Sequence, residues 1–567
     1  MLPPMTRLFL LPLFLALGQA AMAQSLKELP GNLRAVLENT KPLATPRNAR
    51  LPLFVLPISG SLSSLPDDQA EKVLNDLAKR GIGYSVNWNP GSFEASLKEG
   101  LRIGEMQQRL GRMVSVHATG CLYSFFDGTD TTQHMDADGK PFAEISFGGT
   151  MGCPFAIEHR IPVIRQRVES FLKQYKSAGI DVDFIFADWE IDGPIEWNGA
   201  WASSRRCRRC REHVPGIDDF RKFQAKLRAI RSDLQREAFG DNVTRYFPEA
   251  LVGNYAVNPH NGYRYWYDYF ERETPNAPAL KDQRARYREW FHEFARCGYT
   301  FAMPVVYTWY PTFGWYDFEP KDYRWFYNMM LVASNAGQHT SQQTPIIPFV
   351  HWHTTAPPDN PDPSVEQFSR QNYQELLWHM LLRGHDTFFL WCTGRELATE
   401  IQLVHDVYRE SLQYSGFINR GVPVLFEVPP KPGPVVSGLR LGNRVLARRT
   451  DFGTQTSDEI LTLAGGGEVS VAAKRGMQIL TVEKKPRHPG ILTDHNGKLR
   501  FPIGFYEFPG NKEQLQRMAQ SGINLVRCGN RASLDSAHAQ GMMCWVPLSV
   551  QQGATPGLRK QIEILRN

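Results

Sequence analysis

The sequence predicts an α/β protein: a (β/α)₈ TIM barrel, then a small antiparallel β-domain, then an incomplete C-terminal β/α segment. Three observations lead there. From residue 51 to about residue 415, eight short apolar or β-branched runs alternate with amphipathic helical stretches. Between residues 421 and 485 the helical period vanishes, leaving β-like runs broken by Pro and Gly. After residue 500 a strand–helix alternation starts afresh. Strands separated by helices pair in parallel, and eight such units close a sheet on itself.

Residues 1–23 stand apart from this pattern. Arg7 precedes an apolar run from Leu8 to Leu17, and Ala21-Met22-Ala23 ends it in small residues. That is the pattern of a secretory signal peptide, with cleavage expected before Gln24. Its apolar core is too short to span a bilayer comfortably, and no later stretch reaches the ~18 residues a spanning helix needs. The mature protein is therefore expected to be secreted or periplasmic, with no membrane span.

The barrel is expected over residues 24–420. Its strand candidates are Leu51–Ser59, Gly83–Trp88, Met113–Thr119, Val182–Glu190, Leu251–Val257, Thr300–Tyr307, Ile346–His351 and Thr387–Cys392. The helical candidates between them include Asp68–Arg80, Pro162–Ala178, Asp218–Glu237, Leu280–Ala295 and Val365–Leu382. This span exceeds the ~250 residues usual for the fold, so some strand-to-helix loops must be long. Gly120–His159 and Asp192–Gly216 are the obvious ones, and both would lie over the active-site face. Residues 421–485 carry the runs VPVLFEV, RVLARR, EILTLA, EVSVAA and QILTVE, read as a sandwich-like β-domain. After a basic linker, Phe501–Glu507, Ile523–Cys528 and Met542–Leu548 read as strands, with helices at Lys512–Ser521 and Ser533–Gln540. Residues 486–567 thus look like the opening of a second β/α fold within a longer natural chain.

Composition narrows the function classes. A net charge of +6 from 64 basic and 58 acidic residues is too weak a bias to mark a nucleic-acid binder. The eight cysteines fit an oxidising compartment but are too sparse for a disulfide scaffold.

The chemistry concentrates in Ala178-Gly-Ile-Asp-Val-Asp-Phe-Ile-Phe-Ala-Asp188-Trp-Glu190. A helix runs through a glycine turn into an apolar strand that ends in two carboxylates. Alternate strand residues share a face, so Asp188 and Glu190 point together into the barrel mouth. Like charges ~6–7 Å apart along a strand repel, and partial burial adds to this. One carboxyl is therefore raised into a general acid beside an ionised partner. Breaking a glycosidic bond needs this pairing: a proton for the leaving oxygen and negative charge beside a cationic centre. Glu190 is assigned as acid/base and Asp188 as its partner.

A strand-four Asp-x-Glu of this kind resembles the chitinase and hyaluronidase families, glycosidases that use the substrate's 2-acetamido group as nucleophile. The chitinase pattern D-x-x-D-x-D-x-E is matched here by Asp183, Asp188 and Glu190, but Phe186 replaces its second aspartate. Asp-Trp-Glu followed by a loop with Trp197 and Trp201 is more similar to hyaluronidases. So are Gly253-Asn254-Tyr255 after strand five, a tyrosine-rich strand six, and Phe389-Leu-Trp391 on strand eight. The resemblance covers residues 51–415 in order and local motif. It implies that a strand-six tyrosine supports the acetamido group, with Tyr307 the first candidate and Tyr310 the second. It also implies a strand-eight indole, Trp391, under the sugar. Trp309, Tyr255, Asn254, Trp88 and Trp197 complete the expected substrate contacts.

Strand seven ends Phe349-Val-His351-Trp-His353, without an acid. A classical retaining barrel would carry its nucleophile there, so its absence supports substrate assistance. His351 and His353 share a face and are read as substrate contacts. No metal and no cofactor are assigned. Cys207-x-x-Cys210-x-x-His213, amid Arg205, Arg206, Arg208, Arg209 and Arg211, is read first as a loop disulfide, with zinc binding and free thiols as the alternatives. Its arginines suit either solvent or an acidic polysaccharide. The expected function is hydrolysis of a polysaccharide or glycan, N-acetylhexosamine linkages favoured, with retention. The alternatives are a two-carboxylate barrel glycosidase in which Glu319 or Glu396 partners Glu190, and a non-catalytic glycan-binding barrel.

Overall fold

Eight parallel strands follow one another round a ring in chain order: β1 Phe54–Val55, β2 Ser85–Asn87, β3 Ser115–His117, β4 Phe184–Ala187, β5 Leu251–Asn254, β6 Val305–Val306, β7 Phe349–Val350 and β8 Phe389–Leu390. The computed structural model describes residues 28–122, 129, 131–146, 149–189, 201–264, 288–289, 292–307, 318–352, 367–464, 467–482, 492–493 and 499–547. The expected signal peptide lies outside them. β2, β3, β4 and β5 form one ladder, and β1, β8, β7 and β6 form another. Two seams join the ladders. A parallel bridge between Leu53 and Ile82 ties β1 to β2. Thr300 N donates to Val252 O at 2.9 Å and Met303 N to Val257 O at 3.0 Å, tying β5 to the approach to β6. The ring is closed, as the strand count predicted.

The regular strands are short because the two faces of each do more than the ladder to hold them. Inward-facing residues form an aromatic plug of Phe54, Phe184, Phe186, Phe301, Phe349 and Phe389, with Met303 and Ile347. Phe54 stacks on Phe184 at 4.1 Å, and Phe186 meets Phe389 edge-on at 4.5 Å. The alternate residues Val55, Val86, Val116, Ile185, Val252, Val306, Val350 and Leu390 face outward into an aliphatic shell. Strands buried on both faces read as continuous apolar runs, which is why the sequence marked them clearly. Gly253 has a specific role here. A Cβ there would lie 2.6 Å from the Phe301 ring, so glycine on β5 makes room for that ring inside the barrel.

The shell is completed by α1 Gly31–Asn39, α2 Asp67–Lys79, α3 Phe93–Arg109, α4 Arg160–Ser177, α5 Phe220–Gln235, α6 Lys321–His339, α7 Arg370–Leu381 and α8 Leu397–Ser411. α1 precedes the first strand and packs on α8, near the closure of the ring. One helix expectation fails. Within Leu280–Ala295, Arg288–Glu289 is a strand pairing antiparallel with Tyr263–Arg264, and the helix found there among the described residues is Phe294–Cys297. A partner more than twenty residues away overrides the local helical period. Residues 280–287, 290 and 291 lie outside the described residues.

After the barrel come β9 Val422–Pro423, β10 Pro434–Leu441, β11 Arg444–Asp451 and β12 Met477–Thr481, antiparallel in that order. This sheet packs on α7. Arg448 grips Glu375 with two bonds of 2.6 and 2.7 Å, and His379 reaches Ser437 and Thr450. Barrel and sheet make one compact unit.

The second unit contains residues 483–567. β13 Gly504–Phe505, β14 Leu525–Arg527 and β15 Met543–Trp545 are parallel, joined through α9 Lys512–Gln520 and α10 Arg531–Ala539. Asn511 and Asn530 cap the two helices, and Leu515, Val526, Cys528, Ala537 and Met542 form a small core. Phe501, Ile503, Phe505 and Tyr506 remain exposed. Because this unit has its own core, ending the chain at Lys484 is expected to leave the melting temperature of the barrel unchanged within about 2 °C, as for a change well under 1 kcal/mol. Differential scanning calorimetry of the two lengths measures this. A fall of several degrees would make the segment part of the barrel's fold.

Candidate active site

The inward register of each strand, continued one residue pair past the plug, brings a layer of polar and aromatic side chains to the carboxyl ends of the strands. β4 shows the logic. Phe184 and Phe186 face inward, so Asp188 does too, while Trp189 is buried in the outer shell. By the same alternation β2 supplies Asn87, β3 His117, β5 Tyr255, β6 Tyr307, β7 His351 and β8 Trp391. In a (β/α)₈ barrel this end is where active sites form.

The layer is wired together. On one side, His117 Nδ1 lies 3.1 Å from Asn87 Oδ1 and its Nε2 2.6 Å from Thr119 Oγ1. Thr119 Oγ1 in turn accepts the backbone N–H of Asp188 at 2.7 Å. Burial pushes His117 down to about 4, so it stands there as a neutral ring. On the other side, the Tyr255 and Tyr307 hydroxyls meet at 2.9 Å, and the Tyr307 ring stacks on Trp391 at 5.5 Å and 16°. His351 sets its ring edge-on to Trp391 at 4.7 Å. Behind it, the fully buried Glu400 takes His351 Nδ1 at 2.9 Å, Trp352 N at 2.6 Å and Tyr373 OH at 3.1 Å. Glu400 therefore fixes the orientation of the imidazole.

Asp188 is the titratable centre of the layer. Burial raises its carboxyl from 3.8 to about 6. A folded-state pKa above the unfolded one means that the native state holds the proton longer, so stability falls as pH rises from about 4 to 6. Two pKa units correspond to roughly 3 kcal/mol when fully expressed. Asp188→Asn, which removes the buried charge, is expected to raise the melting temperature at pH 8 and to leave it nearly unchanged at pH 4. Equal shifts at both pH values would disprove a charge-burial penalty.

Two expected substrate contacts are corrected. Trp88 follows the inward Asn87 and so faces outward; it is buried, stacks on Phe171 at 4.9 Å and donates Nε1–H to Tyr175 at 3.3 Å. It packs β2 against α4. Asn254 likewise lies between the inward Gly253 and Tyr255. Its Oδ1 accepts Trp189 N–H at 2.9 Å, and its Nδ2 donates to Trp189 O and to Gln235 Oε1. It splints the backbone just past Asp188 and is inaccessible to a sugar. Glu190, Trp197, Trp309, Tyr310 and His353 lie outside the described residues.

Of the two alternative partner carboxylates, Glu396 borders the mouth layer beside His351 and Glu319 is solvent-exposed ahead of α6. Glu396 caps the turn before α8 by accepting Thr393 N–H and Oγ1–H, with His351 Nε2 at 3.9 Å. Cys207 and Cys210 do not form the expected disulfide; no cysteine among the described residues is in a disulfide, and this pair turns toward Cys153 instead.

No protein-family model matches the chain, and no curated protein matches it either. Among solved structures it is similar to the galactosidase domain of an alpha-galactosidase–sucrose kinase, at 9% identity and a TM-score of 0.40, over 80% of this chain and 58% of that one. It is also similar to a noncanonic maltogenic alpha-amylase from Thermotoga neapolitana, at 10% identity and 0.39, over 76% and 98%. A GH31 family sulfoquinovosidase from E. rectale stands at 10% and 0.38, over 80% and 66%. The barrel of this chain rests on its own strand pairing rather than on these likenesses.

Sequence reasoning passed over Asn87, His117 and Glu400. The first two were marked by polar residues two steps past the buried Ser85 and Ser115. Glu400 was marked by its place on the apolar face of α8, between Leu397 and Ile401 on one side and Val404 on the other.

Proposed function

We propose that the protein is an exported glycoside hydrolase acting on a polysaccharide or glycan, with N-acetylhexosamine linkages favoured and a substrate-assisted, retaining mechanism. The observation that carries this reading is the layer at the barrel mouth, where successive strand ends turn a carboxyl, a tyrosine hydroxyl and an indole inward. Trp391 offers a flat apolar floor to the C–H face of a pyranose. Asp188 takes the N–H of the 2-acetamido group, and Tyr307 bonds its carbonyl oxygen. Glu190 protonates the glycosidic oxygen as that carbonyl oxygen attacks the anomeric carbon. Later Glu190 removes a proton from the water that opens the cyclic intermediate.

Asp188 suits its part. Above pH 6 it is ionised at a site where burial disfavours charge, so a positive charge developing on the acetamido nitrogen relieves that cost in the transition state. The end of β7 offers His351 in place of a nucleophilic carboxylate. Glu319 is exposed, whereas Glu396 is bonded back to Thr393 and lies 3.9 Å from His351, which keeps it as the partner in the two-carboxylate alternative.

The test is a panel of N-acetylated and non-acetylated polysaccharides, with proton NMR of the first-formed product. Cleavage confined to N-acetylated substrates with retained configuration is expected. Inversion, or rapid cleavage of a sugar bearing only hydroxyl at C2, would overturn substrate assistance in favour of two carboxylates. No cleavage of any panel member, with binding intact, would make this a glycan-binding barrel.

A further inference from the structure

Two loops that follow β3 and β4 meet at a cluster unrelated to the mouth layer. His134 lies on a short hairpin, His134–Met135 against Pro141–Phe142, and Cys153 follows in the same loop. Cys207 and Cys210 come from the β4 loop, where Cys207 is the N-cap of the helix Arg208–His213 and Cys210 sits in its first turn. All four side chains are buried, and one ring nitrogen and three sulfurs lie within 4.8 Å of one another. Cys153 Sγ is 3.4 Å from Cys210 Sγ and 3.9 Å from Cys207 Sγ, and Cys210 Sγ is 3.7 Å from His134 Nδ1.

These spacings exclude disulfides, whose sulfurs sit ~2.05 Å apart. They match the ~3.8 Å edge of a tetrahedron of sulfurs held ~2.3 Å from a central zinc ion. The surroundings agree. Met135 N–H points at Cys207 Sγ at 3.4 Å, a donor suited to a thiolate. Phe142 stacks on the His134 ring, and Phe155, Val214, Phe220 and Phe223 wrap the cluster in apolar surface that excludes water. Three thiolates and a divalent ion leave one net negative charge, and the arginines of this loop answer it. Arg209 donates to Gln133 O and Thr131 O beside His134, and the Arg206 guanidinium lies over Phe142 at 4.7 Å.

We propose that His134, Cys153, Cys207 and Cys210 bind a structural zinc ion that clamps the β3 loop to the β4 loop. Zinc is favoured because soft thiolates with one imidazole in tetrahedral array select it over harder cations. Four protein ligands fill the coordination shell, so the ion holds structure and leaves no position for substrate.

The test uses the full chain purified without chelator. Elemental analysis is expected to give about one zinc per chain. Replacement by cobalt should give the visible spectrum of a tetrahedral thiolate site, with a thiolate-to-cobalt band that is lost in Cys153→Ser. His134→Cys should keep the metal, since four cysteines also form a zinc site, whereas His134→Ala should lower its affinity at least tenfold. The wild-type measurement needs no variant to fold. Sub-stoichiometric metal with a mass two hydrogens short would replace the site with a disulfide. Sub-stoichiometric metal with all thiols reactive would make it an apolar cysteine cluster. Metal retained at full occupancy in Cys153→Ser/Cys210→Ser would place it elsewhere. Each of these results overturns the proposal.

Discussion

Glu190→Gln is expected to lose turnover by roughly 10²–10⁴-fold while folding and glycan affinity change little. The amide keeps the shape of the acid but has no proton to give, and general acid help is what leaves with it. Retention of more than about a tenth of the rate would remove Glu190 from the role of acid. Asp188→Asn is expected to slow catalysis strongly but less completely. On the proposed mechanism an amide would still orient the acetamido group but would not balance its positive charge. In the parent enzyme, kcat/KM should fall as pH drops through about 6, where Asp188 takes up its proton. The Asn variant should lose that acidic limb. A limb that persists in the variant would belong to another group. Read with the stability experiment, the same substitution is expected to make the protein more stable and less active at neutral pH, the signature of a charge kept for chemistry at a cost to the fold.

The largest effect on stability is expected at Arg383, far from the mouth. Its side chain is fully buried where the end of α7 meets the β9–β12 sheet. Nε donates to Ser437 Oγ at 2.8 Å, Nη1 to Ser334 Oγ and Phe426 O, and Nη2 to Glu427 O at 2.9 Å and Val436 O at 3.2 Å. Burial pulls its pKa down to about 9, and its partners are dipoles rather than a carboxylate in contact. Arg383→Met fills similar volume but leaves three carbonyls and two hydroxyls without their donor. At ~1–3 kcal/mol for each buried group left unsatisfied, with some relaxation, the loss should exceed about 3 kcal/mol. Arg383→Lys should recover little of it, because a single ammonium does not span the fork. Urea unfolding measures this from the midpoint at constant slope. A loss below about 1 kcal/mol would mean that the sheet is anchored by Arg448–Glu375 and His379 instead.

The fold was legible where local signals and tertiary structure agree. Each of the eight strands lies within its expected apolar run, because residues buried on both faces leave no polar alternation to misread. The errors fall where a distant partner decides. Pro434–Leu441 was missed as a strand because Pro434 and Gly438 read as breaks. Yet Gly438 is the ladder residue where a Cβ would lie 3.1 Å from Leu446 O and 3.2 Å from Val424. In the mouth, the inward register of Asp188 followed from period two alone. The same rule, applied with the correct phase, would have turned Trp88 and Asn254 outward. The Cys-x-x-Cys pair was visible in the sequence. Cys153 and His134 were not, since the 57 and 76 residues that separate them from Cys210 carry no sign that two loops will meet.

The phenylalanine plug has a consequence for traffic. Among the described residues, the aromatic plug fills the barrel interior beneath the layer, so Asp188 is approached from the mouth side. A molecule that reaches the layer from that side leaves by the same side. Under the retaining mechanism we propose, the departing sugar therefore occupies the path that water must use, and hydrolysis of the intermediate waits until that sugar clears. Any alcohol small enough to enter in its place, another sugar included, competes with water for the same opening.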